Sequence, residues 1–435
     1  RMNDKVKTGL VVACTCMFAG CSSSNQPASE DRAEKAAVKP PEPVTVKLYP
    51  GQWITDADME LIINGPLKKK HPHITVERLN RDKNPLAEHV ARGDEVDLIT
   101  SWNGSMSQNM DLKIYEDLTP LAKPLNFPFD RFDAQALDTV RAISDDGKLY
   151  GLPYNRQFNA LYYNKDIFDK FGVPYPKDGM TWDETIELAK RVTRQEGGVD
   201  YRGLDPENIT RMGYQLSLVQ VDVKTNTSDI MNHFNTYQKL FETGNRIYSI
   251  PGNKPSKWGY SAYDAFIKDR TVAMAANVNF FPYLAEAPDF TNWDIVQYPS
   301  YPDKPNVYGM FDMHIIGISN TSKHKEDAMK VLEVLFSDEV QMIATKQTGR
   351  ISLLSDTKFQ QAFGADMPIL KGKNIQSIFK SKPAPAPRLS KHYGNGGTNV
   401  RNKFNDYVDG KIDMNTAIRE ADELTNAYIK AQEGK

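Results

Sequence analysis

Thiol chemistry is nearly absent from this chain of 435 residues, whose three cysteines, Cys14, Cys16 and Cys21, all fall near the N-terminus. Nothing downstream can form an internal disulfide or a thiolate metal site. The 7 histidines are scattered, and the one close pair, His71-Pro-His73, offers too few ligands for a metal. A loop entering a strand is the better reading of it. Charge of one sign is also lacking: 54 Lys and Arg oppose 56 Asp and Glu, a net of −2, so no basic field draws nucleic acid. The patterns G-x-S-x-G, G-x-x-x-x-G-K-[ST] and H-E-x-x-H do not occur. Their absence removes the usual signatures of serine hydrolases, phosphate-loop nucleotide binders and zinc proteases. No cofactor and no metal are expected. The carboxylate pair of a glycosidase leaves no spacing pattern, so an enzyme stays open.

Long apolar runs are missing as well. Lys5 and Lys7 precede an uncharged run from Thr8 to Gly20 that falls short of the ~20 residues needed to span a bilayer. Residues 1–20 therefore read as a signal peptide. The run ends in Phe18-Ala19-Gly20-Cys21, similar to a bacterial lipobox, with Phe18 where leucine is usual. Cys21 is the expected lipidation site and mature N-terminus. Residues 21–43 are small, charged and proline-rich after that cysteine, a composition that predicts a disordered tether. The expected location is the extracytoplasmic face of a cell membrane, lipid-anchored, in a Gram-positive organism.

The remainder alternates strand and helix patterns, as an α/β fold does. Thr45–Tyr49 reads as a first strand, and Thr55 caps a helix over 56–70 with acids first and lysines last. Ile74–Val76 and Val96–Thr100 read as further strands. Thr181-Trp-Asp-Glu184 is a capping box, and Lys325–Phe336 carries a core face at Ala328, Val331, Leu332 and Leu335. Ser337 caps the next helix, and Gly349 stops it. Ala417, Ala421, Leu424 and Tyr428 are expected to line the buried face of a last helix. Lys382–Arg388 reads as an extended crossing segment, and Gly394–Asn399 reads as a turn rather than a dinucleotide loop.

In open α/β sheets ligands sit beyond the carboxyl ends of strands. Four such places carry rings beside amides: Gln52-Trp53, Ser101-Trp102-Asn103, Tyr154-Asn155-Arg156-Gln157 and Asn277-Val-Asn-Phe280-Phe281. Planar rings with adjacent donors and acceptors suit a sugar, whose C–H face packs on the ring while its hydroxyls pair with amides. Taken one at a time, each ring is more readily a packing residue; only the recurrence points to a cleft.

Several segments in order then carry a resemblance: Lys148-Leu-Tyr-Gly-Leu-Pro-Tyr-Asn155, Ala160–Asp166, Met180–Glu184, Ala265–Met274, His314–Ser319 and Gln347-Thr-Gly-Arg350. Together they resemble the family 1 extracellular solute-binding proteins, the binding lipoproteins of bacterial ABC importers. The resemblance implies a two-lobed periplasmic-binding-protein-like fold of type II, with the ligand cleft between lobes that close by a hinge. It divides the body into lobe 1 over 44–155 and 311–360 and lobe 2 over 156–310 and 361–435. It implies a monomer without chemistry of its own that binds a mono- or oligosaccharide and delivers it to ABC permease subunits. Carried over by motif, Trp53, Ser101, Trp102 and Asn103 face the ligand, and Tyr154 and Asn155 form a first hinge. Phe280, with Phe281 beside it, stands where the family often stacks its ligand on tryptophan. Asp312 lies at the second crossing. Two alternatives stay open: a binder of a peptide or of a modified or acidic saccharide, and a surface glycan-degrading enzyme.

Overall fold

A computed structural model describes residues 39–52, 54–80 and 85–434; the signal segment, Cys21 and Trp53 lie outside the described residues. The sheets and the cleft belong to the unit Glu42–Lys435. Its strands are β1 (Val44–Pro50), β2 (Ile74–Arg78), β3 (Leu98–Trp102), β4 (Leu152–Arg156), β5 (Asn159–Asn164), β6 (Arg194–Glu196), β7 (Val199–Asp205), β8 (Val221–Asp222), β9 (Thr227–Ser228), β10 (Val272–Val278), β11 (Trp293–Gln297), β12 (Val307–Met310), β13 (Met313–Ile318) and β14 (Lys382–Ala384).

Two mixed sheets organise them. One has the order β2-β1-β3-β13-β4, and the other β11-β5-β10-β7-β6. In the first, β1 pairs in parallel with both β2 and β3, while β13 runs antiparallel between β3 and β4. The strand β13 comes late in the chain, so it ties the residues after 311 back to the first sheet. Each sheet has its own apolar core. One core gathers Val46 to Tyr154 together with Phe311 to Val340 and Leu353 to Phe359; the other gathers Phe158 to Tyr308 with Ile351 and Phe363 to Ala421. The chain passes from one core to the other between Tyr154 and Phe158, between Tyr308 and Phe311, and between Phe359 and Phe363, and Ile351 dips into the second core between residues of the first. The architecture is α/β and two-lobed.

Local signals account for many element boundaries. Thr55 Oγ1 accepts from the Asp58 amide at 3.0 Å while the Asp58 carboxylate accepts from the Thr55 amide at 2.9 Å. This box starts a helical run to Lys70 that widens to a π turn over Met59–Asn64. The Thr181–Glu184 box forms as expected, at 3.2 and 2.8 Å, and Ser337 caps Asp338–Gln347. Gly349 follows that helix at φ 63°, a conformation side chains disfavour.

Three expectations need correction. The strand expected over 96–100 is displaced to Leu98–Trp102, because Asp97 is bound by the Lys47 amide at 2.7 Å and enters the sheet region as a clasp. The last helix, Met414–Glu433, buries Ala417, Ile418, Ala421, Thr425 and Ile429; Leu424 and Tyr428 are 46% and 36% exposed. Polar Thr425 joins the buried face because its hydroxyl donates to the Ala421 carbonyl at 2.7 Å. Gly394–Asn399 is no turn but the first part of the helix Tyr393–Val408. Its glycines permit close packing: a Cβ on Gly396 would stand 2.5 Å from the Cβ of Gln220.

Candidate functional site

A cavity of about 400 Å³ is lined from the segments that carry both cores, within the size range of small-molecule sites. From the first sheet come Trp102 at the end of β3 and His314 in β13; Gln157 and Asp312 stand on the crossings. The other lobe supplies Asn208, Thr210, Arg211 and Tyr214 from the turn and helix after β7, Asn279 and Tyr283 from the segment after β10, and Tyr393 and Arg401 from the helix Tyr393–Val408. Gln52 and Arg350 complete much of the wall.

Trp102 meets Tyr393 edge to face across the cavity, with ring centroids 5.4 Å apart. Its indole lies against Gly104, where a Cβ would stand 2.3 Å from the ring; the helix start is bare so that the ring can occupy this place. Asp312 reaches the cavity with its Oδ1 buried and without a hydrogen-bond partner. Burial pushes its carboxyl up to about 6, against the opposing pull of Arg211. His314 is pushed down to about 3 by burial, helped by the Arg350 charge, so it is neutral and within 2.9 Å of Gln157 Nε2. Arg350 is paired with the Asp58 carboxylate at 2.9 and 3.2 Å. Arg211 is paired with Glu207 at 2.5 Å.

The residues expected to bind ligand separate into groups. Trp102 and Asp312 line the cavity, and Trp53 lies outside the described residues. Ser101 and Asn103 face away from it. The Ser101 hydroxyl meets the Tyr115 hydroxyl at 3.2 Å in the core. Asn103 donates to the Phe311 carbonyl at 3.0 Å and accepts from the Met313 amide at 3.1 Å, which clasps the crossing that carries Asp312. Tyr154 and Asn155 are buried behind the wall next to Arg350; two residues later, Gln157 takes the lining position.

Phe280 and Phe281 are placed in the core. Phe281 is fully buried against Phe158 and Trp293. Phe280 packs on Tyr162 at 4.7 Å and borders a neighbouring cavity instead. The helical turn after Asn279 points both rings into the core and leaves Tyr283, 37% exposed, to line the cleft. Arg211, Tyr214, Tyr393 and Arg401 carried no sequence signal because they stand on helices, whereas the ring-and-amide pattern marks strand ends.

Among the described residues no group of three or more His, Cys, Asp and Glu is placed to hold a metal. Among the described residues the wall carries one carboxylate, Asp312. No helix of the described residues is long and apolar enough to cross a membrane.

Two lobes, each with its own sheet, and a polar, ring-bearing cavity between them define the class of two-lobed binding proteins. The family model for bacterial extracellular solute-binding proteins matches residues 51–342, and the chain belongs to that family. A putative binding protein of Brucella abortus is 28% identical over 241 residues, 53% of this chain and 57% of its own length. The multiple sugar-binding protein of Streptococcus mutans is 23% identical over 285 residues, 61% of this chain and 60% of its own length. The chain thus spans somewhat over half the length of these curated relatives. The sn-glycerol-3-phosphate-binding periplasmic protein of Brucella abortus is 45% identical over 78 residues, 17% of this chain and 18% of its own length. Among solved structures, the ABC substrate-binding protein of Listeria monocytogenes in complex with cycloalternan superposes with a TM-score of 0.72 at 21% identity, covering 89% of this chain and 99% of that one. The sugar-binding protein MalE of Xanthomonas citri gives 0.69 at 18%, covering 90% and 98%. At these identities the likeness shows the shared fold.

Proposed function

We propose that this protein captures a polyhydroxylated solute, a mono- or oligosaccharide, in the cleft between its lobes and presents it to the permease subunits of an ABC importer. The observation that carries the reading is Asp312: a carboxylate oxygen buried without a partner, aimed into a cavity walled by rings and amides. A sugar hydroxyl donating to that oxygen removes the cost of an unpaired buried acceptor. Trp102 and Tyr283 offer apolar faces, and Gln157, Asn208 and Asn279 offer donors and acceptors for other hydroxyls. The sugars bound by the relatives support the same reading.

Ligand would be held by both lobes at once, so binding favours the closed arrangement in proportion to its tighter contacts there. Anchoring through acylated Cys21 would keep the receptor beside its permease. Asn103, Ser101, Tyr154 and Asn155 act in this scheme by fixing the crossings, and Trp53 remains a ligand contact in it.

The test is a thermal-shift screen of the purified chain against a carbohydrate library. A ligand at a hundred times its Kd adds about 2.7 kcal/mol of stability, a rise of several degrees. A library that moves no melting temperature, combined with a peptide mixture that does, would replace the sugar reading with a peptide one.

A further inference from the structure

Among the described residues the wall of the cleft holds three guanidinium groups, Arg211, Arg350 and Arg401, against one carboxylate, Asp312. Two of the three are met from behind the wall, Arg211 by Glu207 and Arg350 by Asp58. Arg401 differs. Its side chain donates to the hydroxyls of Thr398 at 2.9 Å and Thr210 at 3.3 Å, and among the described residues it forms no ion pair.

The placement of Arg401 is also fixed. It projects from the helix Tyr393–Val408 one turn after Gly397, and its two hydroxyl partners hold it. The two threonines take one N–H from each terminal nitrogen of a group with five N–H donors, so donors remain on a side chain that lines the cavity. A guanidinium fork is the side chain best matched to a carboxylate or a phosphate, by two parallel charge-assisted hydrogen bonds.

Building on the reading of the cleft as a site for a polyhydroxylated solute, we infer that its ligand carries an anionic group, a phosphate monoester or a carboxylate, which Arg401 receives. Hydroxyls at the other end pair with Asp312 and the amides. The two poles of the cleft thereby set the polarity of the bound ligand: the anion lies toward the helix Tyr393–Val408, and the hydroxyls lie toward the crossing.

The experiment is calorimetric titration of the full chain with matched pairs: glucose with glucose 6-phosphate, glucose with glucuronate, glycerol with glycerol 3-phosphate, and neutral disaccharides with their phosphorylated or uronate counterparts. Inorganic phosphate serves as the anion alone. The expected result is that a charged member binds at least about tenfold tighter than its neutral counterpart, that Arg401→Gln removes this advantage, and that Arg401→Lys restores part of it. The Arg401→Gln melting temperature without ligand, held within a degree or two of the parent, separates this from a folding defect. Phosphate monoesters and uronates identify which anion is preferred. If neutral sugars bind as tightly as charged ones, or if Arg401→Gln leaves the charged ligand's affinity unchanged, the inference falls and the sugar reading stands. If no member of any pair binds, both fall.

Discussion

Trp102 is a cleft ring rather than a core ring: it is partly exposed, lies across Gly104 and touches Tyr393 of the facing lobe. Stacking a sugar on such a ring contributes on the order of 1 to 3 kcal/mol. Trp102→Ala is expected to weaken ligand binding about ten- to a hundredfold with little change in the melting temperature of the free protein. The adjacent residue behaves oppositely. Asn103→Ala strips partners from the Phe311 carbonyl and the Met313 amide, at a cost of about 1 to 3 kcal/mol, and should show first in chemical denaturation. The strand-end pattern made Trp102 legible, but it does not distinguish a ring that faces a cleft from one that faces a core. Phe280 and Phe281 share that pattern and face the core. Tyr283, which follows them on the next helical turn, carried no signal beyond its proximity.

At the scale of elements, the cleft wall depends on a buried pair that joins a helix N-terminus to the segment after the helix Asp338–Gln347. Asp58 is pulled below the ordinary carboxylate range although burial acts to raise it, because the Arg350 charge and hydrogen bonds and the Thr55 cap outweigh burial. Asp58→Asn removes this carboxylate from a buried guanidinium, and the expected loss is about 3 to 5 kcal/mol, measured by urea titration with the midpoint shifted and the slope retained. Gly104→Ala tests how the helix start serves the ring. The added Cβ has to displace the indole from 2.3 Å, so ligand affinity should fall while helical content by circular dichroism stays. The helix starts at Thr55, Thr181 and Ser337 were readable because a cap is a local bargain between a few neighbouring residues. The buried face of Met414–Glu433 was not. Thr425 bonds to its own helix and to Asn399 and goes inside, while apolar Leu424 and Tyr428 stay out. Tertiary pairing decided this, and pairing with a distant helix is invisible to periodicity.

For the molecule as a whole, two buried titratable groups at the cleft give opposite pH responses. His314 has a folded pKa of about 3 against 6.5, so the unfolded chain takes up the proton and stability is lost as pH falls below 6.5. Asp312 has a folded pKa of about 6 against 3.8, so the folded chain takes up the proton first and stability is gained as pH falls through that window. The histidine shift is the larger, and the net expectation is acid sensitivity. His314→Gln should lose markedly less stability than the parent between about pH 6.5 and 4.5, read from urea midpoints at each pH; parallel profiles would remove His314 from the explanation. At the N-terminus, Cys21→Ser should release the protein from membranes into the medium in a fractionation experiment, and unchanged membrane retention would argue against the anchor. The two-lobed frame was legible because its ordered motifs run along most of the chain. The wall of the cleft was less so, since it is assembled from helices and crossings that lie far apart in sequence.

Occupancy of the cavity between the lobes by a sugar, charged or neutral, is tested most directly by calorimetric titration of the parent chain and of Trp102→Ala with the tightest ligand from the sugar screen. Saturable binding to the parent at one site per chain is expected, weakened at least about tenfold in the variant, with equal melting temperatures before ligand is added. Equal affinity of the two proteins for that ligand would contradict a sugar seated against Trp102.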